Sequence, residues 1–312
     1  MYNKSMDKLT KEIINFFDKE KIEYSTRKLS EAYNYVIRNN RPFLTIPAKL
    51  KNREGILKLL LPNQQEHFKK TLLNENKSYK ILSGLVNFNP KIYAGSPESI
   101  CTSTKTSDLT YIFREKIIGK AAGNAFDYKT NSLNKKSVEK IVNTLIKFSE
   151  IDQGNFKPAE YFKKSQKTWS LKILKNLEKD SSLKTKQIMD FERLIKFSTI
   201  FFHKSKIKDV PIHGDLIPGN IIDNKDKVFL IDFEKTYSGS PFYDFASLYA
   251  CFWNDSKMQN ICYEILKRKF NNFDRQKTGF DFYLICHLAI IYNKKPKEKL
   301  LDVIRKETEW LN

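Results

Sequence analysis

The sequence predicts an α+β fold, with a small antiparallel sheet and one helix in the first third and mainly helices in the remainder. Three observations carry that prediction. Short apolar runs bounded by turn residues crowd the chain before residue 118, long helical periodicities begin near residue 136, and strand character returns only across 212–233.

Taken in order, "MDKLTKEIINFFDKE" (6–20) places Leu9, Ile13, Phe16 and Phe17 at helical spacing, so an amphipathic helix leads. "RPFLTIPAKL" (41–50) and "GILKLLL" (55–61) read as a β-hairpin joined through "KNREG" (51–55), where Gly55 suits a tight turn. A polar helix over 64–83 and two strands, "KIYAG" (91–95) and "LTYIFREKII" (109–118), complete this part. "GKAAGNAFDYKTNSLNKK" (119–136) has the Gly and Asn content of a connector. Helices are then expected over 136–151, 158–178 and 184–203, with a helical C-terminal segment after the returning strands.

Bulk properties exclude several classes. Cys101, Cys251, Cys262 and Cys286 form no CxxC pair, and the 4 histidines are scattered, so neither a disulfide framework nor a zinc cluster is expected. That pattern suits a reducing, cytoplasmic setting. "MYNKSMDKLTKEIINFF" lacks signal-peptide features, and the longest apolar run, "YLICHLAIIY" (283–292), is half of what a bilayer demands, so no transmembrane segment is expected. The net charge of +20, from 56 basic and 36 acidic residues, invites a nucleic-acid reading. However, Lys, Asn, Ile and Phe are abundant together, as AT-rich codons would make them. The basic residues are also interleaved with acids, and no RNA-recognition motif or zinc finger accompanies them, so no specific nucleic-acid partner is expected.

The chemistry concentrates in "VPIHGDLIPGNIID" (210–223) and "VFLIDFE" (228–234). A carboxylate and an amide five residues apart on a loop, followed by a carboxylate at the end of an apolar strand, suit phosphoryl transfer. Asp215 is the expected base for the attacking hydroxyl, and Asn220 and Asp232 are the expected ligands of Mg2+. Gly214 stands where kinases controlled by phosphorylation carry an Arg, and "SPFYDFA" (240–246) follows too closely to leave room for an activation loop. The expected acceptor is therefore a small-molecule hydroxyl rather than a protein.

At "IHGDLIPGN", "LIDFE" and "SPFYDFASLYA" the chain resembles the aminoglycoside phosphotransferase and choline kinase superfamily, whose members show HGDxxxxN, an IDxE segment and a D-[LIF]-A helix start in this order. The resemblance is strong over about 210–250 and weak elsewhere. It implies a two-lobed protein-kinase-like fold using ATP or GTP with Mg2+. The implied domains are an N-terminal amphipathic helix (1–24), a nucleotide-binding N-lobe (25–116), a connector (117–124) and a helical C-lobe with the catalytic loop and acceptor site (125–312). It also implies a strand Lys on the nucleotide phosphates and a helix Glu that orients it, which match Lys58 and Glu75, with Glu66 as the substitute. Backbone groups from Glu115 to Ile117 would meet the purine edge. The phosphate-covering loop would be "KLSEAYNYV" (28–36), which has no glycine but offers Ser30, Asn34 and the amides around Ala32.

The remaining candidates have supporting or acceptor roles. His213 is expected to brace the catalytic loop, and Asp244 to accept amide hydrogen bonds beneath it or to cap the following helix. Glu234 is a candidate for metal or acceptor contact. Tyr249, Phe252 and Trp253 fall on one helix face with Asp255 nearby, which would suit a quaternary ammonium, with core packing as the competing reading. The acceptor classes left open are choline or ethanolamine, sugars and antibiotics. A polycationic aminoglycoside would need an acidic cleft that the C-terminal helices do not advertise. Alternative readings are a kinase of an envelope glycan or lipid-linked acceptor, with the N-terminal helix in peripheral membrane contact, and a nucleotide-binding pseudokinase.

Overall fold

The computed structural model describes residues 2–61, 64, 66–83, 85–95, 109–124, 129–130, 133–152, 154, 156, 189, 208–270, 273–274, 279–294, 299, 302–303 and 306–307. The helices expected over 158–178 and 184–203, apart from Met189, and Cys101 lie outside them. The chain forms two compact units, Met1–Ile118 with Asp232–Lys235, and Gly119–Ile231 with Thr236–Asn312.

The first unit runs α1 (Tyr2–Glu20), β1 (Ile22–Tyr24), α2 (Thr26–Arg38), β2 (Phe43–Leu50), β3 (Arg53–Leu60), α3 (Glu66–Leu82), β4 (Ile92–Gly95) and β5 (Tyr111–Glu115). Its five-stranded sheet has the order β1-β2-β3-β5-β4, and every neighbouring pair is antiparallel. Strand alternation sends Leu44 and Ile46 of β2 and Leu57 and Leu59 of β3 into a core shared with Ile13, Phe16 and Phe17 of α1. Ile13, Phe16 and Phe17 of α1 are thus buried in its own unit.

Residues 28–36 are not the expected phosphate-covering loop: they lie inside α2. Ser25 caps this helix by accepting the Lys28 amide N–H at 3.4 Å. Leu29, Tyr33 and Val36, spaced four and three residues apart, bury one side of it, and no Gly or Pro interrupts 26–38. Ser30 is exposed on this helix and Asn34 half-buried. The amides around Ala32 are in the interior of a helix, where i→i−4 bonding takes the donors a phosphate would need.

The hairpin turn also differs in its residues. Lys51 and Asn52 make it, with φ of 48° and 63°, while Gly55 lies within β3. A Cβ at Gly55 would stand 2.5 Å from the Arg114 carbonyl oxygen and 2.7 Å from the Phe113 ring. Gly55 therefore serves the close approach of β3 and β5 rather than the turn.

The second unit contains β6 (Lys120–Ala121), β7 (Gly123–Asn124), β8 (Lys129–Thr130), α4 (Lys135–Ser149), β9 (Val210–Ile212), β10 (Ile221–Asp223), β11 (Val228–Leu230), β12 (Tyr237–Gly239), α5 (Phe242–Ala250), α6 (Ser256–Lys269) and α7 (Phe280–Lys294). β11, β10 and β6 form one small sheet, while β12 pairs with β9 and β7 with β8. All nine residues of α5 are buried, and α7 is apolar nearly all round, with Leu284, Ile285 and Leu288 fully enclosed. Such a helix is a core element. Among the described residues no helix is long and apolar enough to cross a membrane.

Candidate active site

In the first unit Lys58 is placed by strand alternation, its neighbours Leu57 and Leu59 facing the core. Its Nζ donates to Glu75 Oε2 at 2.7 Å, to Asp232 Oδ1 at 2.7 Å and to Glu234 Oε2 at 3.2 Å. The ammonium also lies 4.7 Å from the centre of the Phe43 ring. The side chain of Glu75, on α3, is 2% exposed, whereas that of Asp232 is 33% exposed. Burial works against the charge of Lys58, but the carboxylates of Asp232, Glu75 and Glu234 outweigh it and hold the ammonium pKa well above its usual value. Burial pushes the Glu75 carboxyl upward, with the Lys58 charge opposing it. Glu66, by contrast, begins α3 as an exposed residue.

Glu75, Asp232 and Glu234 bring carboxylate oxygens within 4.8 Å of one another. That all-oxygen donor set suits a hard divalent cation such as Mg2+. Asp232 is the most exposed of the three.

The second unit holds the other half of the motif. β9 ends at Ile212 and the chain turns through Gly214, whose φ of 78° is the left-handed conformation that glycine adopts without strain. Asp244, in the first turn of α5, accepts the amide N–H of His213 at 2.6 Å and that of Gly214 at 3.0 Å. This is the first of its two expected roles, and burial raises its pKa against those hydrogen bonds. His213 is fully buried; its Nε2 donates to the Ile231 carbonyl at 2.9 Å and its Nδ1 accepts the Asp215 amide at 3.3 Å. Those contacts place a hydrogen on Nε2 and make the ring a brace.

Asn220 closes the same loop. Its Nδ2 donates to the Asp215 carbonyl at 2.9 Å, which leaves Oδ1 to offer a cation. The Ser247 hydroxyl of α5 adds a bond to the Leu216 carbonyl at 2.9 Å. Ser247 was not foreseen, because a serine inside an apolar helix carries no signal until the loop lies against it.

Three of the four expected acceptor residues, Tyr249, Trp253 and Asp255, serve packing or capping. Tyr249 is buried edge-on to Phe280 with ring centres 5.6 Å apart, which is core packing. α5 ends at Ala250, so the buried Trp253 sits in the following turn rather than on its face. Asp255 caps α6, accepting the Met258 amide at 3.0 Å. Glu234 belongs with Lys58. In the expected purine-edge segment, the Glu115 amide is engaged by the Lys91 carbonyl at 2.8 Å, and its own carbonyl accepts Arg114 Nη1 at 3.4 Å. Ile117, two residues on, is half-buried beyond the end of β5.

Comparison with known proteins adds two findings. A family model described as "Phosphotransferase enzyme family" matches residues 45–275. Among solved structures, the ADP-bound aminoglycoside phosphotransferase APH(2″)-Ib is 15% identical with a TM-score of 0.51, over 89% of this chain and 96% of that one. The choline kinase LicA from Streptococcus pneumoniae is 15% identical with a TM-score of 0.53, over 86% of this chain and 89% of that one. The AMP-bound spectinomycin phosphotransferase APH(9)-Ia is 14% identical with a TM-score of 0.52, over 86% and 85%. These likenesses show the protein-kinase-like α+β fold that the sequence predicts. A search of curated sequences gave no match.

Proposed function

Since the chain belongs to the phosphotransferase enzyme family, we propose that it moves the γ-phosphoryl group of a nucleoside triphosphate, ATP or GTP, to a hydroxyl group of a small molecule. The observation that carries this reading is the loop from His213 to Asn220. Its amides are tied to Asp244, its carbonyls to Asn220 and Ser247, and its half-buried carboxylate belongs to Asp215. A base held this rigidly can orient an acceptor hydroxyl without reorganising during the reaction.

In the proposed step Asp215 accepts the hydroxyl proton as that oxygen attacks the γ-phosphorus, and the bond from the γ-phosphorus to the bridging oxygen breaks, leaving a nucleoside diphosphate. Lys58 contributes its ammonium to the nucleotide phosphates, exchanging part of its contact with the carboxylates around it. Asn220 Oδ1 and the Asp232 carboxylate would hold Mg2+, which neutralises phosphate charge when bound. Glu75 keeps Lys58 in place, and His213 and Asp244 keep the Asp215 loop in place.

The acceptor is proposed only as a small-molecule alcohol, since Tyr249 and Trp253 are packed into the core. The test is product formation from ATP and from GTP with Mg2+ against choline, ethanolamine, sugars and aminoglycosides, with Asp215→Asn run beside the natural protein. Transfer to one acceptor that disappears in Asp215→Asn supports the reading. Transfer that persists in that variant removes Asp215 from the role of base, and nucleotide binding without transfer to any acceptor counts against the small-molecule assignment.

A further inference from the structure

Asp232 has a φ of 68°, a left-handed conformation uncommon for a residue with a Cβ, though Asp adopts it more readily than most. The surroundings that hold it come from α3. The Asp232 amide N–H donates to the Tyr79 hydroxyl at 3.1 Å. The Tyr79 ring stands edge-on to Phe233, with centres 5.2 Å apart at 80°, and both rings are fully buried. Asn74 Nδ2 donates to the Glu234 carbonyl at 3.0 Å. One helix therefore grips three consecutive residues, by an amide, a ring and a carbonyl.

A phenylalanine at position 79 would fill the same space, and burying a hydroxyl is unfavourable unless it is hydrogen-bonded. The bonded partner is the amide of Asp232 itself. We propose that Tyr79 and Asn74 are positioning residues that hold the Asp232–Glu234 turn so that the Asp232 carboxylate is presented to the divalent cation. The proposal rests on the reading of Asp232 as a metal ligand. It differs from the role of Glu75, which acts on the Lys58 side chain, because Tyr79 and Asn74 act on the backbone of the turn.

The test is Mn2+ affinity in the presence of ADP, read from the electron paramagnetic resonance signal of free Mn2+, for the full chain and for Tyr79→Phe, Asn74→Ala and Asp232→Asn. ADP affinity in EDTA and metal-free thermal unfolding are measured beside it. Loss of one such hydrogen bond is expected to weaken Mn2+ binding about three- to tenfold, with ADP affinity in EDTA unchanged. If Asp232→Asn loses Mn2+ binding while Tyr79→Phe and Asn74→Ala keep natural affinity, the positioning role is wrong even if their melting temperatures fall. If Asp232→Asn also binds Mn2+ normally, the metal-ligand reading fails and this proposal fails with it. Should Tyr79→Phe not fold, Asn74→Ala alone decides between these outcomes.

Discussion

The ammonium of Lys58 and the carboxylate of Glu75 lie 2.7 Å apart, joining strand β3 to helix α3 across a pair that is almost wholly withdrawn from water. Asp232 and Glu234 complete the circle, so a single cation separates three carboxylates. Lys58→Met would leave those carboxylates facing one another. Stability should fall on the order of 3 kcal/mol, and added Mg2+ should recover part of the loss. Denaturant unfolding with and without Mg2+ checks both halves, and unchanged stability would mean that water screens the cluster.

Asp215→Asn keeps the shape of the side chain and removes its basicity. Turnover is expected to fall roughly 10²- to 10⁴-fold, the range that a positioned base contributes. Nucleotide affinity should stay within about twofold, a change of less than about 0.5 kcal/mol, because Asp215 is proposed to meet the acceptor rather than the nucleotide. Steady-state kinetics beside direct nucleotide titration would reveal the split.

Asp244→Ala strands the amide N–H groups of His213 and Gly214, which have no water to turn to at this depth. Each orphaned donor costs about 1–3 kcal/mol. The variant should unfold several degrees earlier and lose turnover more than nucleotide affinity. Asp244→Asn, which keeps one acceptor oxygen, should fall between it and the natural protein, and two variants of equal stability would argue against the two-amide account.

His287 on α7 supplies a pH dependence. Burial lowers its pKa from 6.5 to about 4, against the opposing effects of its bond to the Tyr243 backbone and of the Asp215 charge. The unfolded chain takes up this proton near pH 6.5 while the folded chain refuses it until about pH 4. The contribution of neutral His287 is thus fully present above pH 6.5 and is lost as pH falls towards 4. The full span is worth ~3 kcal/mol. His287→Phe should flatten the slope of stability against pH in that window, measured by denaturant unfolding at a series of pH values.

Legibility differed between the two kinds of order in this chain. α1, the β2–β3 hairpin, α3 and the β9–β11 stretch could be read directly, because amphipathic spacing and strand runs are properties of neighbouring residues. The hydrogen-bonded loop set His213, Asp215 and Asn220 was equally visible, because its residues are bonded to one another across a few positions. α2 replaces the loop expected at 28–36, and its local signals are Ser25 as cap and the Leu29, Tyr33 and Val36 face. The role of Gly55 is not legible locally, because its neighbours, Phe113 and Arg114, are far away in the chain.

The sequence by itself determined the class of fold and the placing of the chemical motif, since both depend on local spacing and composition. Tertiary structure decided which carboxylates surround Lys58, that Asp244 and Ser247 secure the Asp215 loop, that Tyr249 and Trp253 belong to the core, and that Tyr79 reaches the amide of Asp232. Those facts join residues as many as 176 positions apart. No local pattern encodes such a pairing, because burial and backbone geometry arise only when distant segments pack together.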